Sequence, residues 1–357
     1  MATPTRLLAY LTNAQDNHQP GTGSVITVDL TGVLPPTSIE VAAGTNAIIV
    51  TAGGAAAFVT NESSGSPRGS VTRIDLATCA VGTSIPVGSE PVDIEVVPQT
   101  GETWAWVANY GNKTVTTVNL ATGEVGDTIP VPDAGPNTVA FTPDGRTCYV
   151  ANWGVDGCAG STVTPVEVTE GGASGNVLPS IAVGYNPNWV AITSDGATAY
   201  VANKGSNSIT PIDVATHTAG APIIVPGPPI QMEIAPNGKL AYIAIAGSSI
   251  DAVVPMDLTV TPGTVGPAIA LAGGSQPHWI AFTPDGTTAY VVGNGNSTLT
   301  PITVASGTPG TPIQVSTDPA ADILDIVIVA SSSPASARTR RRSVASRGGR
   351  TSGPRGL

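Results

Sequence analysis

The sequence predicts an all-β fold: a seven-bladed β-propeller of four-stranded antiparallel blades, closed into a ring by a C-terminal strand. Three observations predict it. Residues 187–216, PNWVAITSDGATAYVANKGSNSITPIDVAT, divide into short apolar runs cut by Gly/Asn/Asp turns, the pattern of an antiparallel meander. Versions of this stretch recur along the chain. Their turn glycines (Gly54, Gly101, Gly145, Gly196, Gly238 and Gly286) lie 42 to 51 residues apart, the period of propeller blades. Finally, the first copy lacks a first strand, and an unpartnered apolar run stands at the far end of the repeat.

Within 187–216 the strands are expected at 189–193, 199–203 and 208–214, with a fourth at 222–225. One such sheet cannot bury both faces, so it needs copies on each side. Residues 277–306 (PHWIAFTPDGTTAYVVGNGNSTLTPITVAS) repeat it closely, and 136–168 repeat it with a longer loop. Shorter matches run through 46–78, 91–122 and 230–258. At the start of the chain, 7–13, 23–30 and 37–41 read as second, third and fourth strands. Residues 321–330, ADILDIVIVA, are apolar and have no following turn. They fit as the missing innermost strand, and closing the ring removes two unpaired sheet edges. The blades are expected at about 1–45 with 320–330, then 46–90, 91–136, 137–187, 188–229, 230–277 and 278–319.

The phrases CYVANWG, AYVANKGSNSITPIDVAT and WVANYGNKTVTTVNLATG resemble the YVTN-type β-propeller repeat of bacterial and archaeal surface proteins. The resemblance covers residues 1 to about 330. It implies the seven-bladed fold and a cell-surface or secreted setting. It implies no particular chemistry, because one superfold hosts many activities. The first residues carry no basic segment followed by an apolar run and a cleavage site, so no secretory signal is read there. Extracellular use is thus an expectation from the resemblance, with which the low Lys content and Thr/Asn/Gly-rich strands agree.

Composition narrows the partners. The net charge of −11 hides two regions of opposite sign: residues 331–357 hold seven arginines and no acid, leaving −18 on the first 330. An acidic body is a poor surface for nucleic acid. The Arg/Ser/Gly-rich tail has almost no apolar content and is expected to be disordered, either as an arm for an anionic partner or as a dispensable extension. No run of 18 apolar residues exists, so no membrane-spanning helix is expected. The three cysteines, Cys79, Cys148 and Cys158, show no metal spacing and are read as free thiols, the alternative being a Cys148–Cys158 bond.

The first strands repeat a large–small alternation: Val139, Ala140, Phe141 beside Val190, Ala191, Ile192 and Ile280, Ala281, Phe282. The large residues are expected to face one neighbouring blade and the alanines the other. Glu95 and Glu233 occupy the alanine position in two blades. A lone carboxylate there must be paired or reach a water-filled channel.

In a propeller the 2–3 loops and 4–1 connections open on one face, where loops of divergent length (13–22, 61–69 and 152–161) fall. Binding concentrates on loops held by a rigid scaffold. The candidate binding residues there are Asp93, Asn137, Asn188, Trp189, Gln231, His278 and Trp279 at the channel mouth, with Tyr110 and Trp153 in the 2–3 loops. Asn109, Asn152, Asn203 and Asn296 share those loops, where asparagine also satisfies the backbone of its own turn. Trp189 and Trp279 equally serve to seal blade junctions. Indoles with amide donors suit a glycan or a peptide.

Catalytic signals are sparse. Only His18, His217 and His278 are present, and no G-x-S-x-G, H-E-x-x-H or phosphate loop occurs. The reading is therefore a non-catalytic binding platform for a protein or glycan, with no cofactor required. The alternative is a lactonase-like, metal-assisted hydrolase holding a divalent cation such as calcium in the channel, with Glu95 and Glu233 as ligands and Asp93, Asn137 and Asn188 in support.

Overall fold

The computed structural model describes residues 6–331 except 15–22, 33, 52, 63–67, 99–100, 102, 132–134, 156–157, 248–249, 272, 274 and 319–320. The Arg-rich tail from 332 onward and much of the loops at 13–22 and 61–69 lie outside the described residues.

Seven antiparallel sheets form the ring. Their innermost strands are Thr45–Val50, Pro91–Val96, Pro136–Phe141, Pro187–Ile192, Pro229–Ile234 and Pro277–Phe282 in blades two to seven, and Ile323–Ser331 in blade one. Each innermost strand packs against the next, and the strand of blade one packs against that of blade two, so the ring is closed around a central channel. The closing strand runs antiparallel to Arg6–Asn13, with Leu8 opposite Val329 and Leu11 opposite Ile326. It begins at Ile323, two residues later than its apolar run suggests. Asn13 takes the preceding segment instead: its Oδ1 accepts from the Asp322 N–H at 3.0 Å.

The six turn glycines that set the period all have φ between +66° and +70°, a conformation glycine adopts without a Cβ clash. Three of the turns share one further device. Thr142 donates to the Asp144 carboxylate at 2.6 Å, and Asp144 accepts from the Arg146 N–H at 3.1 Å. Thr193–Asp195–Ala197 and Thr283–Asp285–Thr287 do the same. These hydrogen bonds hold Asp144, Asp195 and Asp285 below the usual carboxylate range.

The core is seven inter-blade layers. Val139 and Phe141 pack toward blade three against Trp106, whereas Ala140 joins the layer shared with blade five. Trp106 is fully buried, meets Phe141 edge-on at 5.2 Å and donates its indole N–H to the Gly172 carbonyl at 2.8 Å. The large–small alternation therefore divides one strand between its two neighbours, as the sequence suggested.

Two expectations need correction. The outer strand of blade five is not one run at 222–225 but two short pieces, Thr218–Ala219 and Ile223–Ile224, both paired to the third strand. Between them Gly220 donates to the Pro211 carbonyl, and Pro222 has no N–H to continue the ladder. Blades six and seven break in the same way, which shortens every such edge. The insertion at 152–161 is largely not a loop either. It extends the hairpin of Thr147–Val155 with Cys158–Thr169, pairing Val155 with Cys158. Cys148 and Cys79 are free thiols, so the Cys148–Cys158 alternative falls. Cys148 is buried between blades three and four, and burial raises its thiol well above the ordinary value.

Candidate binding site at the channel mouth

The innermost strands carry the same positions round the ring, so their side chains fall in tiers. The second residue of each strand makes the uppermost tier. Asn137 donates to the Asn188 carbonyl at 2.8 Å, and Asn188 donates to the Ile230 carbonyl. Asn46 reaches the Pro91 carbonyl at 3.3 Å, and His278 Nδ1 lies 3.1 Å from the Leu324 carbonyl. Each of these four side chains bonds the backbone of the following blade. Burial of His278 lowers its pKa, against the opposing pull of the Leu324 carbonyl.

The third residue makes the next tier, and it uses the backbone N–H groups. Asp93 accepts from its neighbour Ile94 at 2.9 Å and from Val139 of blade four at 2.9 Å. Asp325 does likewise with Ile326 at 2.6 Å and Ile48 of blade two at 2.8 Å. Gln231 accepts from Ile280 of blade seven at 3.2 Å. All three are buried. The remaining large groups in this tier are Trp189 and Trp279, whose rings meet edge-on at 4.8 Å. They come from blades five and seven, which are not neighbours, so they meet across the channel in front of Gln231. His278 stacks on Trp279 at 5.7 Å.

Two residues further along, Glu95 and Glu233 line the channel. Glu95 is exposed to the channel space, although protein surrounds it, and has no hydrogen-bond partner among the described residues. Glu233 is half-buried and accepts from Gln231 at 3.2 Å. Burial raises Glu95 to about 8, with Asp93, Glu233 and Asp325 adding repulsion. Burial raises Glu233 to about 8 as well, opposed by the Gln231 hydrogen bond. Asp325 rises to about 7 and Asp93 to about 6, both through burial, with backbone N–H bonds opposing. Glu95 and Glu233 thus share one acidic space rather than facing apart.

Of the four carboxylates in that space, Glu95 and Glu233 are the two that take no backbone N–H from the described residues. Among the described residues no three His, Cys, Asp or Glu side chains converge as a ligand set. The carboxylates of Asp93 and Asp325 are already committed to backbone N–H groups, and hard cations need six or more oxygens.

On the rim the geometry is different. Tyr110 of blade three donates its hydroxyl to the Gly154 carbonyl of blade four at 2.8 Å. Asn186, in the connection into blade five, donates to the Trp153 carbonyl at 3.0 Å. The Lys204 ammonium of blade five stands 5.1 Å over the Trp153 ring. Three consecutive blades are therefore tied through two aromatic residues and one cation. Three of the asparagines of the 2–3 loops are not available to a ligand. Asn109, Asn152 and Asn203 are fully buried and donate to hydroxyls of their own hairpins. His217 lies on the opposite face, with Nδ1 2.8 Å from the Tyr149 hydroxyl.

Of the residues singled out in the sequence, Asp93, Asn137, Asn188, Gln231 and His278 are brought together as inter-blade ties around the mouth. Trp189 and Trp279 cross it, and Tyr110 and Trp153 stand on the rim. Sequence reasoning missed Asp325, Asn186 and Lys204. Asp325 was legible as the third residue of the closing strand, the offset of Asp93 and Gln231. Lys204 opens a 2–3 loop, but no pattern announces that its ammonium reaches the loop of the preceding blade.

No family model matches the chain, and no curated protein matches it in sequence. Among solved structures, the Pseudomonas aeruginosa periplasmic gluconolactonase superposes with a TM-score of 0.70 at 15% identity, covering 90% of this chain and 99% of that one. A candidate 6-phosphogluconolactonase from Bacteroides fragilis gives 0.70 at 16%, over 92% and 99%. A protein from Lactobacillus plantarum gives 0.73 at 15%, over 91% and 100%. At such identity the likeness establishes the fold alone. The chain is a seven-bladed β-propeller that resembles lactonase-type propellers in architecture.

Proposed function

We propose that this propeller is a non-catalytic recognition module that takes a glycan or a protein on the face of the channel mouth. One observation carries the reading: the tie through Tyr110, Trp153 and Lys204 across three blades. Aromatic groups held rigidly by neighbouring backbone bind with little ordering cost, and indole and phenol rings combine an apolar body with a polar tip. The polar residues of the mouth itself act as the frame, since their hydrogen bonds join successive blades. The test is binding of the full chain to an immobilised glycan panel, compared with Trp153→Ala and Trp279→Ala. Loss of a specific signal in Trp153→Ala, with an unchanged melting curve, is the expected result.

The second reading is lactone hydrolysis, favoured by the architectural likeness to the gluconolactonase of Pseudomonas aeruginosa. Glu95 and Glu233 would then supply the protonated carboxyl groups, since both are raised to about 8. Turnover on a panel of sugar lactones that is abolished by Glu95→Gln would overturn the recognition reading.

A further inference from the structure

The mouth face contains a cation that, among the described residues, meets an aromatic ring but no acid. Lys204 is half-buried over Trp153. Among the described residues it makes no ion pair, although residues 1–330 carry 25 acidic side chains against seven basic ones. Desolvation lowers its pKa with nothing opposing it, so the folded protein holds this ammonium at a cost. Desolvated charges without a partner concentrate at functional sites.

Its surroundings are built rather than incidental. The Lys204 N–H donates to the Asn186 carbonyl at 3.0 Å, and Gly205 donates to the Tyr185 carbonyl at 2.9 Å. Asn186 is held in the left-handed region, φ +49°, and a Cβ on Gly205 would meet the Asn186 Oδ1 at 2.6 Å and the Tyr185 Cβ at 3.1 Å. The Tyr185 backbone therefore lies against Gly205, the residue after the lysine, and 62% of Tyr185 is exposed. It is the most exposed aromatic side chain among the described residues and rests on a fixed backbone.

We propose that this sector of blades four and five binds a carboxylated saccharide, with Lys204 pairing the carboxylate and Tyr185 carrying the apolar face of the sugar ring. The inference rests on the recognition reading and narrows its ligand. The site offers a single positive charge inside an acidic body, which matches one carboxylate. A phosphate dianion would leave a second negative charge unanswered, and a neutral sugar would leave the ammonium unpaired. A tyrosine ring is a flat, amphipathic platform of the kind sugars stack upon.

The probes are methyl galacturonide, its methyl ester (the same sugar without the charge) and glucose 6-phosphate. Each is titrated into the full chain by calorimetry at low and at physiological salt. The acid is expected to bind, and to bind at least about tenfold more tightly than the ester, the worth of one modest charge pair. Lys204→Met should lose that advantage while leaving ester binding unchanged. Lys204→Arg should keep most of it, and Tyr185→Ala should weaken acid and ester alike. Equal affinity for acid and ester, or an acid preference that survives Lys204→Met, would overturn the carboxylate assignment and leave the recognition reading standing. Preferential binding of glucose 6-phosphate would overturn it in favour of phosphate. Binding to none of the three would overturn it too. Whether the recognition reading fails with it is then decided separately by the glycan panel and Trp153→Ala.

Discussion

Asp93 and Glu95 lie two residues apart on one strand and alternate to the same side, yet their carboxylates have opposite fates. Asp93 is short and buried, and its two oxygens each receive a backbone N–H, one from its own strand and one from the next blade. Glu95 is one methylene longer, finds no N–H, and stands in the channel beside Glu233 with its pKa raised to about 8. Asp325 and Gln231 repeat the first arrangement in blades one and six, and Glu233 repeats the second. The upper tier thus joins blades, while burial holds the carboxylates of the lower tier above their usual range. Burial raises a carboxylate in both tiers, and the difference lies in how much hydrogen bonding opposes it.

The largest test of the upper tier removes the strand that completes it. A chain ending at residue 320 loses the pairing to Arg6–Asn13 and the Asp325 bond to Ile48. It also exposes two sheet edges. Loss of a single cooperative melting transition is expected, and an unchanged melting curve would show that the ring closes without this strand. The next effect is smaller. Asp93→Ala leaves the N–H groups of Ile94 and Val139 buried without acceptors and should cost about 2–4 kcal/mol, read by denaturant unfolding. A cost below about 1 kcal/mol would mean that water replaces the carboxylate.

The smallest effect is one of pH, and it reads both tiers. Asp93, Asp325, Glu95 and Glu233 are raised to about 6, 7, 8 and 8 in the folded state. In the unfolded chain they return to about 4. Between those limits the folded state binds more protons, so stability falls as pH rises. Glu62, also raised by burial, acts in the same direction, and His278, held low by burial, acts in the opposite one. The melting temperature should therefore decline from pH 5 to pH 8. Glu95→Gln with Glu233→Gln should flatten the decline and raise the melting temperature at pH 8. A flat or rising profile in the parent chain would show that water in the channel solvates these carboxylates fully.

Much of this was legible because a repeat exposes its own rules. The turn glycines, the large–small alternation and the missing first strand are local features, multiplied until they specify one architecture. The Glu positions were legible too, since they break the alternation. Their environment was not: whether a channel carboxylate meets an N–H depends on the twist between adjacent blades, to which no single repeat refers. The same limit hid Lys204, whose partner ring is 51 residues away in the chain.

The sequence by itself determined the fold class, the number of blades and the way the ring closes, because strand periodicity and turn chemistry act over a few residues and recur. It also singled out the ring of residues at the channel mouth. Only the tertiary structure decided what those residues do. It committed Asp93, Asn137, Asn188, Gln231 and His278 to the neighbouring blades, because their hydrogen-bonding groups reach backbone that the closed ring brings alongside. It also brought the Lys204 ammonium of blade five over the Trp153 ring of blade four, a contact between neighbouring blades that no single repeat contains.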